Sequence, residues 1–112
     1  ARAEDAGRTA GLREGFDLVV ARALAAVRIL IEYGLPLLRA EGVLATPKGS
    51  RWREELAEAG NALAELGGVA LDPIRVPLPA DAPEQTVVLV RRVGALNDRY
   101  PRRAGIPVKR PL

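Results

Sequence analysis

Phe16-Asp17-Leu18-Val19-Val20-Ala21-Arg22-Ala23 is the stretch on which the reading of this chain turns. Six mostly apolar residues run directly into an arginine, and a second apolar stretch follows. A continuous run such as Leu18-Val19-Val20 suits a strand covered on both faces, as in a parallel sheet. Ligands of open α/β sheets bind beyond the carboxyl ends of the strands. Arg22 then stands at such an end, a permanent cation where a ligand is expected.

Upstream, residues 1–13 are rich in Ala, Arg and Glu and suit a helix, weakened by Gly7 and Gly11. The opening Ala1-Arg2-Ala3-Glu4 has no Met and no element before it, as if the chain were entered partway. Downstream, Val27, Leu30, Ile31, Leu35 and Leu38 follow helical spacing, which predicts a helix over about Ala25–Leu38, disturbed at Gly34 and Pro36. Ala40-Glu41-Gly42 reads as a stop, and Val43–Thr46 as a second short strand ending in Pro47-Lys48-Gly49. Ser50 is the expected N-cap of a helix over about Arg51–Leu66. Its stripe is Trp52, Leu56, Ala59, Leu63 and Leu66, with Gly67-Gly68 as the C-cap pair. Trp52 suits either a stacking platform or the core at the head of that stripe. Val69–Leu78, interrupted by Pro73 and Pro77, reads as an irregular or edge strand. It is expected to form a hairpin with Thr86–Val90. From Gly94 the apolar period is lost and the chain reads as extended, proline-punctuated and basic. Strand–helix alternation ending in a hairpin describes the second half of a doubly wound α/β sheet.

Composition narrows the chemistry. With no Cys, disulfides and thiolate metal sites are excluded, and with no His the commonest general base and metal ligand are gone. No metal site is expected, and triad hydrolases are disfavoured. No apolar run reaches the length of a membrane span and no signal peptide is visible, so the chain reads as soluble and cytoplasmic, with no membrane partner. The net charge of +3 hides an asymmetry. Residues 91–112 carry seven cations against the single anion Asp98, while residues 1–90 are mildly acidic. Such a tail points to a polyanion such as RNA, or serves only solubility.

The tail is more specific than its charge. Tyr100-Pro101-Arg102-Arg103-Ala104-Gly105-Ile106-Pro107-Val108-Lys109-Arg110-Pro111-Leu112 resembles the closing pattern Y-P-R-R-x-G-x-P-x-K-x-P-L of the RsmG (GidB) family, matching every fixed position. Members are bacterial methyltransferases that modify a guanine of small-subunit ribosomal RNA at N7. Ala3-Glu4, Phe16–Ala23 (family F-D-x-V-x-x-R-A), Tyr33–Leu38 and Pro47-Lys48-Gly49 resemble further family segments, so the likeness runs along essentially the whole chain.

The resemblance implies the carboxyl-terminal half of a class I, Rossmann-like methyltransferase fold. It would end in an antiparallel hairpin and a basic extended tail, with residues 1–93 a partial α/β domain and 94–112 the tail. It implies S-adenosylmethionine as cofactor, contacted by Ala3, Glu4 and Arg22. Arg22 suits the cofactor carboxylate, the ordering of the pocket, or an RNA phosphate, and residue type does not choose among them. The implied partner is 16S ribosomal RNA or the small ribosomal subunit. Arg102, Arg103, Lys109, Arg110 and Lys48 are the candidate RNA contacts, although the tail would equally fold back and brace the sheet. There are two departures. Gln85-Thr86 stand where the family has Arg-His, and no glycine-rich phosphate-type loop occurs.

No catalytic side chain is assigned. Guanine N7 has a free lone pair, so methylation calls for alignment and electrostatics rather than proton removal. Without the glycine loop the chain alone is expected to be inactive and to bind cofactor weakly or not at all. Self-association through an exposed strand edge at residues 16–20 is expected. The competing reading is a non-enzymatic α/β module that binds RNA or protein through its tail.

Overall fold

The computed structural model describes residues 12–22, 25–103 and 105–112. Its sheet is built outward from β1 (Phe16–Val20), which runs parallel to β2 (Leu38–Lys48) with Leu18 opposite Val43 and Val20 opposite Ala45. The pairing continues past the strand, since the Ala21 N–H donates to the Ala45 carbonyl at 3.0 Å. Ala40-Glu41-Gly42 is not a stop. It is an irregularity within β2, where the register against β1 shifts between Phe16 and Leu18 and Glu41 takes φ 70°. Glycine at 42 suits this close approach, because a Cβ there would crowd the carbonyl oxygens of Phe16 and Arg39 at 3.0 Å.

α1 (Val27–Gly34) is shorter than its apolar spacing suggests and ends in a 3-10 turn over Leu35–Leu37. Pro36 cannot donate to the helical ladder, and Leu38 is already extended, so the chain turns into β2. The helix expected over 51–66 is two: α2 (Trp52–Ala57) and α3 (Gly60–Leu66). At the break Ala59 N–H bonds the Leu56 carbonyl, a tightened turn placed before the poor helix former Gly60. The break keeps Ala59, Ala62 and Leu66 buried. Ser50 does not cap; Arg51 occupies that position without a side-chain bond. Gly67 does end α3, at φ 69°.

β3 (Gly68–Ala70) and β4 (Ile74–Arg75) both pair antiparallel with β5 (Thr86–Arg92), so the irregular strand is two short pieces on either side of Pro73. β5 in turn lies antiparallel beside β2, which gives the order β1-β2-β5-β3 with an antiparallel strand inserted between its neighbours. Leu44, Val88 and Val90 face the helices and join Ile31, Leu35 and Leu66 in the core.

Two expectations change. β1 is not covered on both faces: Phe16, Leu18 and Val20 are 42%, 57% and 60% exposed, and only Val19 turns inward. Val69 and Ile74, on the same side of the sheet by register, are also exposed. The segment after Gly94 is not simply extended either. It returns across the helices, buries Tyr100, Pro101 and Pro107, and forms α4 (Ile106–Lys109) against α1.

Candidate functional site

Arg22 lies two residues beyond Val20 and is exposed, at the carboxyl end of β1 as the sequence suggests. The Ala21–Ala45 bond anchors the chain immediately before it. No ion pair joins its guanidinium to another of the described residues, and such a group suits an anion, whether carboxylate or phosphate. Ala3 and Glu4 lie outside the described residues.

Lys48, the last residue of β2, is 7% exposed. Its ammonium donates to the Ala25 carbonyl and pairs with Glu55 Oε1 at 3.2 Å. The same Glu55 oxygen accepts from the Val27 N–H at 3.1 Å. That N–H is one of the donors a helix start leaves without a partner, and Ala26 has no side chain to cap it. Lys48 and Glu55 therefore clamp the start of α1 at Ala25 and Val27. Lys48 is a positioning residue here, rather than a cation presented at the surface. Nothing in the sequence pointed to Glu55, because its partners lie 7 and 28 positions away on other elements.

The tail cations divide. Arg102 wraps Glu32 of α1: its backbone N–H and Nη2 each donate to that carboxylate at 2.8 Å, and Nη2 also bonds the Arg110 carbonyl at 2.7 Å. Glu32 is 1% exposed, and its hydrogen bond holds the Arg102 guanidinium above its ordinary range, against the opposing effect of burial. Arg92 is buried on Glu14 at 2.8 Å, and Arg91 approaches Glu41 at 4.0 Å. Part of the tail's positive charge is thus neutralised inside the fold. Arg103, Lys109 and Arg110 stay exposed, on the helical side of the molecule. The structure does not bring them together with Arg22. Tyr100 anchors the same segment, donating its hydroxyl to Glu65 at 3.1 Å.

Two adjoining cavities open near the end of β2 and the start of β5. One, of about 320 Å³, is lined by Pro47, Lys48, Gly49, Leu78, Pro83 and Glu84, with Gln85 at its margin. The other, of about 270 Å³, is lined by Trp52, Arg53, Pro73, Arg75, Glu84 and Thr86. Trp52 packs on the core, as one of its two readings has it, and it also lines this cavity, with the Arg53 guanidinium 4.6 Å from its ring centroid. Arg53, Arg75 and Glu84 were not singled out by sequence reasoning, since an exposed charge on a helix or loop is usually no more than solvated surface.

Residues 1–74 match the GidB family model, rRNA small subunit methyltransferase G. The ribosomal RNA small subunit methyltransferase G of Lactobacillus johnsonii is 45% identical over 111 residues, covering 99% of this chain and 46% of that protein. Its counterpart in Pelotomaculum thermopropionicum is 40% identical over 112 residues, 100% of this chain and 47% of that protein. The chain thus spans about half the length of the curated relatives it matches. Among solved structures, M. jannaschii TYW2 in complex with AdoMet aligns over 76% of this chain and 41% of that chain, at TM-score 0.50 and 14% identity. A Pyrococcus horikoshii protein aligns over 74% and 34%, at TM-score 0.53 and 12% identity. At such identities these two establish likeness of fold.

Proposed function

The chain belongs to the rRNA small subunit methyltransferase G (GidB) family, and on that premise we propose that it forms the carboxyl-terminal part of an S-adenosylmethionine-dependent enzyme that methylates guanine N7 in 16S ribosomal RNA. The observation that carries this reading is Arg22. It is exposed at the carboxyl end of a parallel strand, where a doubly wound sheet receives its ligand.

S-adenosylmethionine supplies an activated methyl group on a cationic sulfur. When bound, it would supply that methyl group to guanine N7, leaving the purine with the positive charge. No proton has to leave first, so a chain without His or Cys is suited to this step. Ala3, Glu4 and Arg22 form one side of the cofactor pocket in this proposal, with Arg22 holding an anionic group of cofactor or RNA. The Lys48–Glu55 clamp fixes the start of α1, the helix that follows Arg22 in the chain. Arg103, Lys109 and Arg110 offer charge to RNA phosphates of the small subunit, while Arg102 holds their segment against α1. The work belongs to the cytoplasm, where ribosomal RNA is modified; among the described residues no helix is long and apolar enough to cross a membrane.

Alone, the 112-residue chain binds the cofactor weakly or not at all, because it contains no glycine-rich loop through which backbone approaches the ligand. The exposed edge and face of β1 favour self-association in isolation. The decisive experiment replaces the matching 111 residues of the Lactobacillus johnsonii relative with this chain and measures methyl transfer to small-subunit RNA. Transfer that falls at least about tenfold in Arg22→Ala supports the reading. A folded but inactive chimera sinks it, and leaves the non-enzymatic RNA-binding module in its place.

A further inference from the structure

We propose that the cavity bounded by Trp52, Arg53, Arg75 and Glu84 is a nucleotide subsite for single-stranded RNA; this rests on the RNA-methylating reading above. Trp52 is the only tryptophan in the chain, and its ring is sandwiched between core side chains and the Arg53 guanidinium, 4.6 Å from the ring centroid. A planar cation backed by an indole is a ready-made surface for an unstacked base, and base–aromatic or base–arginine stacking tolerates any sequence. The indole N–H is buried and has no hydrogen-bond partner, so the fold itself leaves this side chain under-used.

The charges around the cavity are not spent on each other. Arg51 and Glu54 pair at 3.1 Å, but among the described residues neither Arg53 nor Arg75 has an acidic partner within ion-pair distance. Arg75 is exposed in β4, directly opposite Thr86 in the register. Two unpaired guanidinium groups suit phosphate oxygens of a passing strand. Glu84 lines this cavity and also the neighbouring one beside Lys48. A carboxylate in such a place accepts paired N–H donors, and among the bases guanine offers them, from N1 and the exocyclic amine. The volume of about 270 Å³ suits one base, and the adjoining 320 Å³ gives a strand room to continue. That continuity favours an RNA strand over a free nucleotide.

The test uses the 112-residue chain and two short single-stranded oligoribonucleotides, one guanine-rich and one adenine-rich, each carrying a fluorophore. Trp52 emission reports the cavity and anisotropy of the labelled RNA reports binding anywhere. Saturable quenching of Trp52 is expected, tighter for the guanine-rich strand. Arg53→Ala weakens it about tenfold, Arg75→Ala reduces its salt dependence, and Glu84→Gln removes the guanine preference. All three positions are exposed, so the variants keep the fold, which far-ultraviolet circular dichroism checks. Binding seen by anisotropy with Trp52 emission unchanged, or affinity unaltered in Arg53→Ala and Arg75→Ala, overturns the subsite and leaves the RNA-methylating reading standing. Equal quenching by inorganic polyphosphate overturns it as a phosphate-only surface. Absence of binding in both readouts also overturns it, while the chimera assay judges the enzyme reading independently.

Discussion

Glu32 and Arg102, seventy residues apart in sequence, form a buried pair in which one carboxylate accepts from the backbone N–H, Nε and Nη2 of the same arginine. The pair joins the last third of α1 to the carboxyl-terminal segment. It explains why an acid can sit at 1% exposure among Ile29, Leu30 and Ile31 on the buried part of α1. Removing one partner of such a pair leaves an uncompensated charge. Glu32→Ala is expected to destabilise the chain by about 3 kcal/mol in urea unfolding. Arg102→Ala should do so by at least as much, because it leaves the buried Glu32 carboxylate with only the backbone N–H of residue 102, whereas in Glu32→Ala the partly exposed guanidinium can turn to solvent. Equal and negligible effects would show that the tail is not held by this contact.

Tyr100 adds a pH-dependent hold on the same segment. Burial first, and then the hydrogen bond to Glu65, push its phenol above the usual value of 10.0. The folded form therefore keeps the proton at pH values where the unfolded chain has lost it. The stabilisation is complete below about pH 10 and is lost as pH rises through the folded value. Denaturation midpoints measured between pH 8 and 11, on the order of the phenol's own range, should fall more steeply for the wild type than for Tyr100→Phe. Parallel curves would refute the assignment.

The Lys48 clamp predicts a local effect. Lys48→Met keeps the aliphatic stem but leaves Glu55 without its cation, and should cost about 2 kcal/mol. Hydrogen exchange is expected to speed up at Val27, whose N–H bonds Glu55. Unchanged protection there would mean that Glu55 holds the helix start unaided.

Two glycines make opposite predictions. Gly67 has φ 69°, and a Cβ on it would lie 2.8 Å from the Gly94 Cα, which is backbone and cannot swing aside. Gly67→Ala should destabilise by about 2 kcal/mol or more. Gly60 opens α3 with nothing within 4 Å of an added Cβ. Gly60→Ala is expected to stabilise by about 0.5 kcal/mol. Thermal unfolding of the two variants side by side decides it.

Leu18 and Val20 stand on the bare side of β1. Leu18→Lys and Val20→Lys should leave stability nearly unchanged, since each side chain is more than half exposed, while reducing self-association seen by light scattering. A wild-type chain that stays monomeric at high concentration would remove the basis for that expectation.

The local features of this chain are legible in its residues. The apolar run Leu18–Val20 makes a strand, Pro36 ends the helix before it, Gly67 closes another, and Pro73 breaks the irregular strand. Each of these follows from what a residue allows its own backbone to do. Even the placing of Arg22 at a strand end needs no more than the strand's direction. What only the tertiary structure decided are the relations between distant residues. Lys48 reads as a substrate-side or solvated lysine and is clamped by Glu55, and Arg102 reads as an RNA contact or a brace and is found paired with Glu32. A continuous apolar run records that Leu18 and Val20 suit burial, but not whether anything covers them. Periodicity reports a residue's preference for conformation and for an apolar environment. Which charge meets which, and which face meets solvent, depends on the packing of whole elements, and that is settled only when they are assembled.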